Sequence, residues 1–213
     1  MYSFLTVWQN QPIIRVRKGR YLFNFFINIS AGIGGKCSME GKRLTSYAME
    51  ELECPKCGHK HSLKKYKVIN VTEKAKLKEE IMKNRLYQFS CEECEYMAPL
   101  TYDSLYVDSQ RNIMIYMAPV MNAEIKAEIA ELEQEKGIDK RLVDNINDLK
   151  EKIMIVDNHL DDRVIEIIKI MYLDQIKKEM EDDTLLNILF DYNRDNYCFL
   201  VFFQKKGIGK IPL

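Results

Sequence analysis

The chain has 213 residues, of which 46% are hydrophobic and 30% are charged, a composition typical of soluble globular proteins. Its 9 Gly and 5 Pro exclude a collagen-like chain, and its 9 Phe, 12 Tyr and 1 Trp supply aromatic side chains for a core, which argues against wholesale disorder. Lys plus Arg equals Asp plus Glu at 32 each, so the whole chain has no net charge that would favour a polyanionic partner.

The charges are nevertheless segregated along the chain. Residues 1–48 carry seven basic side chains and one acid, residues 54–90 carry ten basic side chains and three Glu, and residues 91–213 carry 15 basic and 25 acidic side chains. We therefore predict three regions: a poorly ordered extension or wrongly assigned start over 1–48, a β domain over 49–120, and a helix-rich segment over 121–213 that packs on the β domain or stands apart from it.

An apolar run over residues 21–29 follows a basic flank that begins at Arg15, which is the order found in export signals. Two Asn interrupt the run, no small-residue cleavage site follows it, and it is shorter than the roughly 20 apolar residues that cross a bilayer. We therefore expect no membrane contact and a cytoplasmic location. Export and an additional strand at this position are the alternatives.

Four of the six cysteines form two pairs, Cys54-Pro-Lys-Cys57 and Cys91-Glu-Glu-Cys94, with 33 residues between the pairs. Two residues between thiolates let a tight turn aim both sulfurs at one point, and two such turns facing each other complete the tetrahedron of a structural zinc site. Gly58 follows the first pair, where the chain often needs a positive φ to leave the turn. The spacing predicts one structural Zn²⁺ with no open position for catalysis.

Other interpretations of the two pairs stay open. Two disulfides need an oxidising compartment, two redox dithiols need a strand–motif–helix context, and an iron–sulfur cluster also takes four thiolates. His59 and His61 are alternative ligands, but we expect them to be exposed turn residues. Cys37 and Cys198 are not expected to bind metal, since Cys198 lies in an apolar run where a free thiol behaves as a small hydrophobe.

The hydrophobic pattern predicts an α+β fold, in which a zinc-ribbon-like β domain with an inserted helix precedes a helix-rich segment and a C-terminal β-hairpin. The predicted elements of the first part are strands over 65–71, 89–91, 96–106 with a break near Pro99, and 113–119, with a helix over 73–86. Those of the second part are helices over 123–136, 139–153 and 161–180 and strands over 185–192 and 197–203.

No catalytic motif accompanies the cysteines. The sequence contains no Gly-rich phosphate loop, Gly-x-Ser-x-Gly elbow or His-Glu-x-x-His. His159 has no partner suggested by spacing, and Asp161 and Asp162 are expected to cap a helix rather than to act as paired carboxylates. We therefore expect a non-enzymatic protein that presents a surface to another protein, with an enzyme that lacks identifiable catalytic residues as one alternative.

Nucleic-acid binding through the basic stretch is the second alternative. Its candidate contacts are five lysines near the first cysteine pair: Lys56, Lys60, Lys64, Lys65 and Lys67. Four thiolates with one Zn²⁺ add a charge of about −2 to this stretch, and residues 91–213 are acidic, so the net attraction for phosphates is reduced.

Cys54-Pro-Lys-Cys57-Gly58, the 33-residue spacer, the second Cys-x-x-Cys pair and Ile113-Met-Ile-Tyr-Met-Ala-Pro119 together resemble the bacterial and archaeal CpXC-domain family. Residues 141–153 and 161–164 continue the resemblance, which covers about residues 49–203. Glu92 stands where the family name has Pro, although both thiolates of that pair remain. The resemblance implies an intracellular zinc-binding protein.

Overall fold

The computed structural model describes residues 44–179, 183–193 and 196–213, so the predictions for the apolar run over 21–29 and for Cys37 lie outside the described residues. The described part has the α+β fold that the sequence predicts. Its elements in chain order are β1 (Ser46–Glu53), β2 (Lys60–Asn70), α1 (Lys76–Met82), a 3₁₀ turn (Arg85–Tyr87), β3 (Gln88–Ser90), β4 (Met97–Pro99), β5 (Ser104–Asp108), β6 (Ile113–Met117), α2 (Ala123–Glu133), β7 (Asp139–Val143), α3 (Ile146–Asp157), α4 (Asp162–Glu179), β8 (Leu185–Asn193), β9 (Asn196–Phe203) and β10 (Gly207–Pro212).

Strands β1, β2, β5, β6 and β7 form a five-stranded sheet in the order β1-β2-β5-β6-β7. The pairs β1–β2 and β5–β6 are antiparallel, whereas β2–β5 and β6–β7 are parallel. Parallel neighbours need a crossover connection, and α2 lies in the connection from β6 to β7. The connection from β2 to β5 spans residues 71–103 and contains the second Cys-x-x-Cys pair, while the first pair immediately precedes β2.

Strands β5 and β6 form the buried centre of this sheet, because all ten of their residues are shielded from water. Such unbroken apolar stretches are typical of strands covered on both faces. Ile113, Ile115 and Met117 share one cluster with Leu149 and Ile153 of α3, so this helix covers one face of the sheet. Val71 and Tyr102 belong to the same cluster, which therefore packs both ends of the crossover that carries the second cysteine pair.

A three-stranded antiparallel sheet in the order β10-β9-β8 follows the helices. Phe190 and Phe199 on its inner face pack with Ile155 of α3 and Ile165 of α4. The predicted β8–β9 hairpin is confirmed, and β10 extends it. The sequence did not predict β10, whose two glycines weaken the strand pattern.

The predicted helix over 139–153 is wrong in its first part. Residues 139–143 form β7, which pairs with β6, and α3 begins only at Ile146. The side chain of Asn145 caps this helix by accepting a 2.9 Å hydrogen bond from the backbone N–H of Asp148. The polar Asp-Asn pair that the sequence pattern placed inside a helix therefore lies at the boundary between a strand and a helix.

Two further differences concern the region around the cysteines. The predicted helix over 73–86 is divided into α1 and a 3₁₀ turn, because Asn84 adopts a left-handed φ of 64°. Strand β1 was not predicted, and it begins at Ser46, before the expected boundary at residue 49. The division into separate domains stays a prediction.

Within the described ranges, no helix combines the length and the apolar character needed to cross a bilayer.

Candidate metal centre

The sulfur atoms of Cys54, Cys57, Cys91 and Cys94 all lie within 4.8 Å of one another. The Sγ atoms of Cys54 and Cys94 are 3.7 Å apart, and those of Cys57 and Cys91 are 3.6 Å apart. A tetrahedral zinc ion with Zn–S bonds of about 2.3 Å separates its sulfur ligands by about 3.8 Å. The four cysteines therefore have the spacing of ligands to a single ion, well beyond the roughly 2.05 Å of a disulfide bond.

The first turn, knuckle 1 (residues 54–57), is closed by backbone hydrogen bonds. The N–H of Cys54 donates to the carbonyl of His59 at 2.8 Å, and the N–H of Gly58 donates to the carbonyl of Cys54 at 2.9 Å. Gly58 has a φ of +73°, as expected from the sequence, because a side chain at this position would strain the backbone. Lys56 Nζ also donates to the carbonyl of Cys94 at 3.4 Å and so bridges the two turns.

The second turn, knuckle 2 (residues 91–94), repeats this arrangement. The N–H of Cys91 donates to the carbonyl of Tyr96 at 2.8 Å, and the N–H of Glu95 donates to the carbonyl of Cys91 at 3.0 Å. Glu95 occupies the position that Gly58 has in knuckle 1 and adopts the same left-handed region, with a φ of +56°. Knuckle 2 therefore has the geometry of knuckle 1 with a strained residue in place of glycine.

A small apolar cluster surrounds the sulfurs. Cys54, Cys91 and Phe89 are buried, and Leu63, Tyr96 and Leu100 are among the half-buried side chains packed on them. Cys94 is half-buried, whereas Cys57 is exposed. The candidate site is thus anchored on its inner side and reaches the surface at Cys57.

The electrostatics of the four thiols favour a bound cation. Burial raises the pKa of Cys54, but the backbone N–H groups of Cys57 and Lys56 outweigh it and lower this pKa to about 7. The N–H of His59 lowers the pKa of Cys57, but burial and the neighbouring sulfurs together raise it to about 12. Burial also raises the pKa of Cys94. Several thiolates this close together need a positive ion to neutralise them.

His61 was expected to be an exposed turn residue, and this expectation is wrong. It lies half-buried on β2, and its Nε2 is 3.2 Å from Cys91 Sγ. His59 is exposed, as expected, and its ring is 4.8 Å from that of His61. The alternation of β2 was a usable signal, because Leu63, two residues further along the same face, packs against the cysteines.

The lysines proposed for nucleic-acid contact do not form one basic face. Lys60 and Lys64 are exposed, while the partly covered Lys65 lies on the opposite face of β2 and forms a 2.6 Å ion pair with Glu50. Glu53 of β1 lies directly beside Lys60 in the sheet. The acidic residues of β1 therefore offset the positive charge of β2.

The other two candidate lysines lie outside the regular part of β2. Lys56 is in knuckle 1, and exposed Lys67 is skipped where the register of β1 against β2 shifts. The ring of Tyr47 also holds Lys64, whose Nζ is 5.0 Å from the ring centre. These side chains are thus distributed over several surfaces.

Two other predicted residues lie away from the sulfur cluster. Cys198 is buried on β9, where its Sγ is 3.9 Å from Asp191 Oδ2. His159, for which the sequence suggested no partner, has its ring nitrogens 3.0 and 3.1 Å from Arg111 Nη1.

Together, the fold and the cluster define an α+β protein with a four-cysteine centre that can hold one metal ion. The family described as CpXC protein matches residues 52–169, more than half of the chain, and the chain therefore belongs to that family. The match includes both knuckles and ends within α4. No curated protein and no solved structure matches the chain.

Proposed function

We propose that this chain is a non-enzymatic zinc protein whose four-cysteine centre is structural and whose folded surface binds another protein. The observation that carries the proposal is the convergence of four Cys sulfurs, two from each knuckle, within 4.8 Å. Four sulfurs occupy every position of a tetrahedral shell, so no position is left for substrate or a reactive water. Zinc is the metal most often held by four thiolates outside iron–sulfur centres.

The structural role follows from how little else holds the two knuckles together. The apolar cluster around them contains only three buried residues among those described, two of which are themselves cysteines of the centre. Binding free energy at such a site contributes directly to folding. We also propose a cytoplasmic location, because the five described cysteines are free thiols and a reducing compartment keeps them so.

The first test is metal analysis of the purified protein. We expect about one zinc per chain and loss of that zinc on Cys91→Ser. Cys198→Ser is the matched control, since it removes a buried thiol outside the cluster and should leave the zinc in place. Iron with visible absorption, or two disulfides within the knuckles, would overturn the proposal.

The surface best suited to a protein partner is an apolar stripe on α4. Its members Val164, Ile167 and Met171 recur at helical spacing and are 51%, 51% and 70% exposed, and Ile170 beside them is 39% exposed. Burying what these four side chains expose gives roughly 3–6 kcal/mol before the costs of association. This favours a reversible complex with the apolar helix of a different polypeptide over a stable dimer built on the stripe alone.

Photo-crosslinking from position 171 in living cells tests this surface. We expect one crosslinked species larger than the chain that disappears with Ile167→Asp, whereas Lys177→Asp, on an exposed part of the same helix, leaves it unchanged. A product with twice the mass of the chain would show that the stripe binds a second copy of the chain and not a different polypeptide. Absence of any crosslink would contradict a protein partner at this surface.

Nucleic-acid binding is the second candidate, favoured by the exposed Lys60 and Lys64 on one face of β2. Because β1 offsets their charge, we expect affinities for random DNA or RNA at the weak end of roughly 10⁻⁴–10⁻⁶ M near physiological salt. Fluorescence anisotropy across a salt series measures this. Tight binding that replacement of Lys64, Lys65 and Lys67 by Glu abolishes would make nucleic acid the better candidate.

A further inference from the structure

The imidazole of His61 is held in place beside the metal centre. Its Nε2 lies 3.2 Å from Cys91 Sγ, and its ring meets the ring of Phe89 edge to face at 5.3 Å. Phe89 and Cys91 are 4% and 1% exposed, so water has little access to this contact. Packing therefore sets the orientation of the ring.

Backbone donors act on sulfurs of the centre. The N–H groups of Lys56 and Cys57 act on Cys54, the N–H of His59 acts on Cys57, and the N–H of Tyr96 acts on Cys94. Cys91 has a side-chain donor within reach, His61. Hydrogen bonds of this kind spread the negative charge of metal-bound thiolates and hold their direction.

The contact between His61 and Cys91 makes the surroundings of the two knuckles different. His61 follows the first cysteine of knuckle 1 by seven residues and reaches the first cysteine of knuckle 2. The residue seven positions after Cys91 is Ala98 on β4, whose side chain has no hydrogen-bond donor. One sulfur of the centre thus receives a side-chain donor that its counterpart Cys54 does not receive from the equivalent position.

We propose that His61 is a positioning residue of the metal centre, whose Nε2–H donates a hydrogen bond to the zinc-bound thiolate of Cys91. This inference rests on the proposed zinc function. A thiolate only accepts hydrogen bonds, so Nε2 carries the proton and the tautomer is fixed. The bond orients the buried sulfur toward the ion and offsets part of the charge of about −2 that four thiolates and Zn²⁺ leave.

The make-up of the cluster distinguishes a donor from a metal ligand. Four sulfurs lie within 4.8 Å of one another and complete a tetrahedral shell, and among the described residues no histidine nitrogen belongs to that group. The 3.2 Å from His61 Nε2 to Cys91 Sγ is a hydrogen-bond distance to sulfur, so the imidazole contacts a ligand rather than the metal.

The test compares zinc affinity in the full chain and three variants by competition with a chromophoric chelator at one pH. His61→Phe keeps a ring against Phe89 and removes the donor, and His61→Gln keeps an N–H donor. Ser62→Ala changes an exposed neighbour on the other face of β2 as a control. We expect about 10- to 100-fold weaker zinc binding in His61→Phe, recovery of most of the affinity in His61→Gln, and no change in Ser62→Ala.

A further readout separates a hydrogen bond from a packing effect. With Co²⁺ in place of zinc, His61→Phe should shift the sulfur-to-cobalt absorption bands while keeping the intensity of a four-sulfur tetrahedral centre. A His61→Phe spectrum that shows one sulfur ligand more than the wild type, or one nitrogen ligand fewer, would identify His61 as a metal ligand and overturn the proposal.

The outcomes for the site and for His61 are distinguishable. A wild-type protein without zinc would refute the proposed function. A zinc-loaded wild type whose His61→Phe variant has the same affinity and absorption would refute the role of His61 alone. If His61→Phe does not fold, His61→Leu, which also lacks a donor, takes its place in the comparison with His61→Gln.

Discussion

Two regions of this molecule are stabilised by different means. The knuckle region (residues 52–63 and 88–100) buries little more than Phe89 and the inner two cysteines. The helix–sheet region (α3, α4 and β8 to β10) has an apolar core that includes Ile155, Phe190 and Phe199. The first region therefore has little apolar packing beside a four-cysteine cluster that can hold one metal ion, whereas the second depends on an apolar core and contains buried charge.

That charge is itself buried. Glu151 on α3 is 3% exposed and forms a 2.5 Å ion pair with Lys169 on α4, which is 7% exposed. Glu151 also accepts a hydrogen bond from the backbone N–H of Phe190 on β8. One carboxylate therefore connects two helices and a strand, although its burial raises its pKa.

The largest effect is expected from Cys91→Ser, which should separate the two regions. Without the fourth thiolate the metal is lost, and structural zinc sites contribute apparent free energies on the order of 10 kcal/mol. Hydrogen exchange should show amides of the knuckle region losing protection while α3 and β9 retain theirs. Equal loss across the described residues would mean that the two regions unfold as one unit.

Lys169→Met tests the helix–sheet region in the same way. The change removes the cation paired with the buried Glu151 carboxylate, which costs about 3–5 kcal/mol, while Glu166, which Lys169 also contacts, keeps its ion pair with Lys152. Urea unfolding should report this loss of stability. The control Lys177→Met, on the exposed side of α4, should leave the free energy of unfolding almost unchanged. The double variant Lys169→Met with Glu151→Leu should recover most of the stability, and failure to recover would locate the loss outside the pair.

Lys150 on α3 provides a third test, through pH. It is 3% exposed, no described residue forms an ion pair with it, and burial lowers its pKa to about 8. Below pH 8 the amine is charged in both the folded and unfolded states, so its burial penalty is constant. Between about pH 8 and 10.5 only the unfolded chain holds the proton, and stability therefore rises with pH by about 3 kcal/mol.

Lys150→Met should remove that rise and stabilise the protein at pH 7 by up to about 3 kcal/mol. The difference between the wild-type and variant unfolding curves from pH 7 to 10.5 isolates Lys150 from the cysteines and tyrosines that titrate in the same range. Parallel curves would show that the amine reaches water or a partner in solution.

The smallest effect is expected at the strained turn of knuckle 2. Glu95→Gly relieves a φ of +56° and should stabilise the zinc-loaded protein by up to about 1 kcal/mol. Gly58→Ala at the equivalent position should destabilise it by about 1 kcal/mol, because its φ of +73° is strained for any side chain. Thermal unfolding of both variants measures these two changes in stability. Changes of the same sign would contradict the conclusion that the two knuckles have the same backbone geometry.

The sequence predicted the features that depend on local spacing. Both knuckles could be recognised because two residues between cysteines determine the turn, and α4 because its apolar residues recur at helical steps. It did not predict β7, because the pairing of Asp139 with Ile113 joins strands that lie far apart in the chain and overrides local preference.

The contact of His61 with Cys91 could not be predicted from spacing for the same reason, since it joins side chains 30 residues apart. Strand β1 was missed because its Glu residues are unfavourable in strands, whereas in the sheet Glu53 lies beside Lys60 and Glu50 forms an ion pair with Lys65.

The parallel pairing of β2 with β5 also affects the order of folding. Residues 71–103 must close as one long loop before these strands can meet, and non-local closure of this kind slows the folding of a sheet. In the zinc-bound form that we propose, the two knuckles hold residue 91 beside the start of β2 and leave only a short segment before β5 begins at Ser104. On that proposal the ion is a kinetic template, and we expect the chain to assemble its five-stranded sheet faster with zinc than without it.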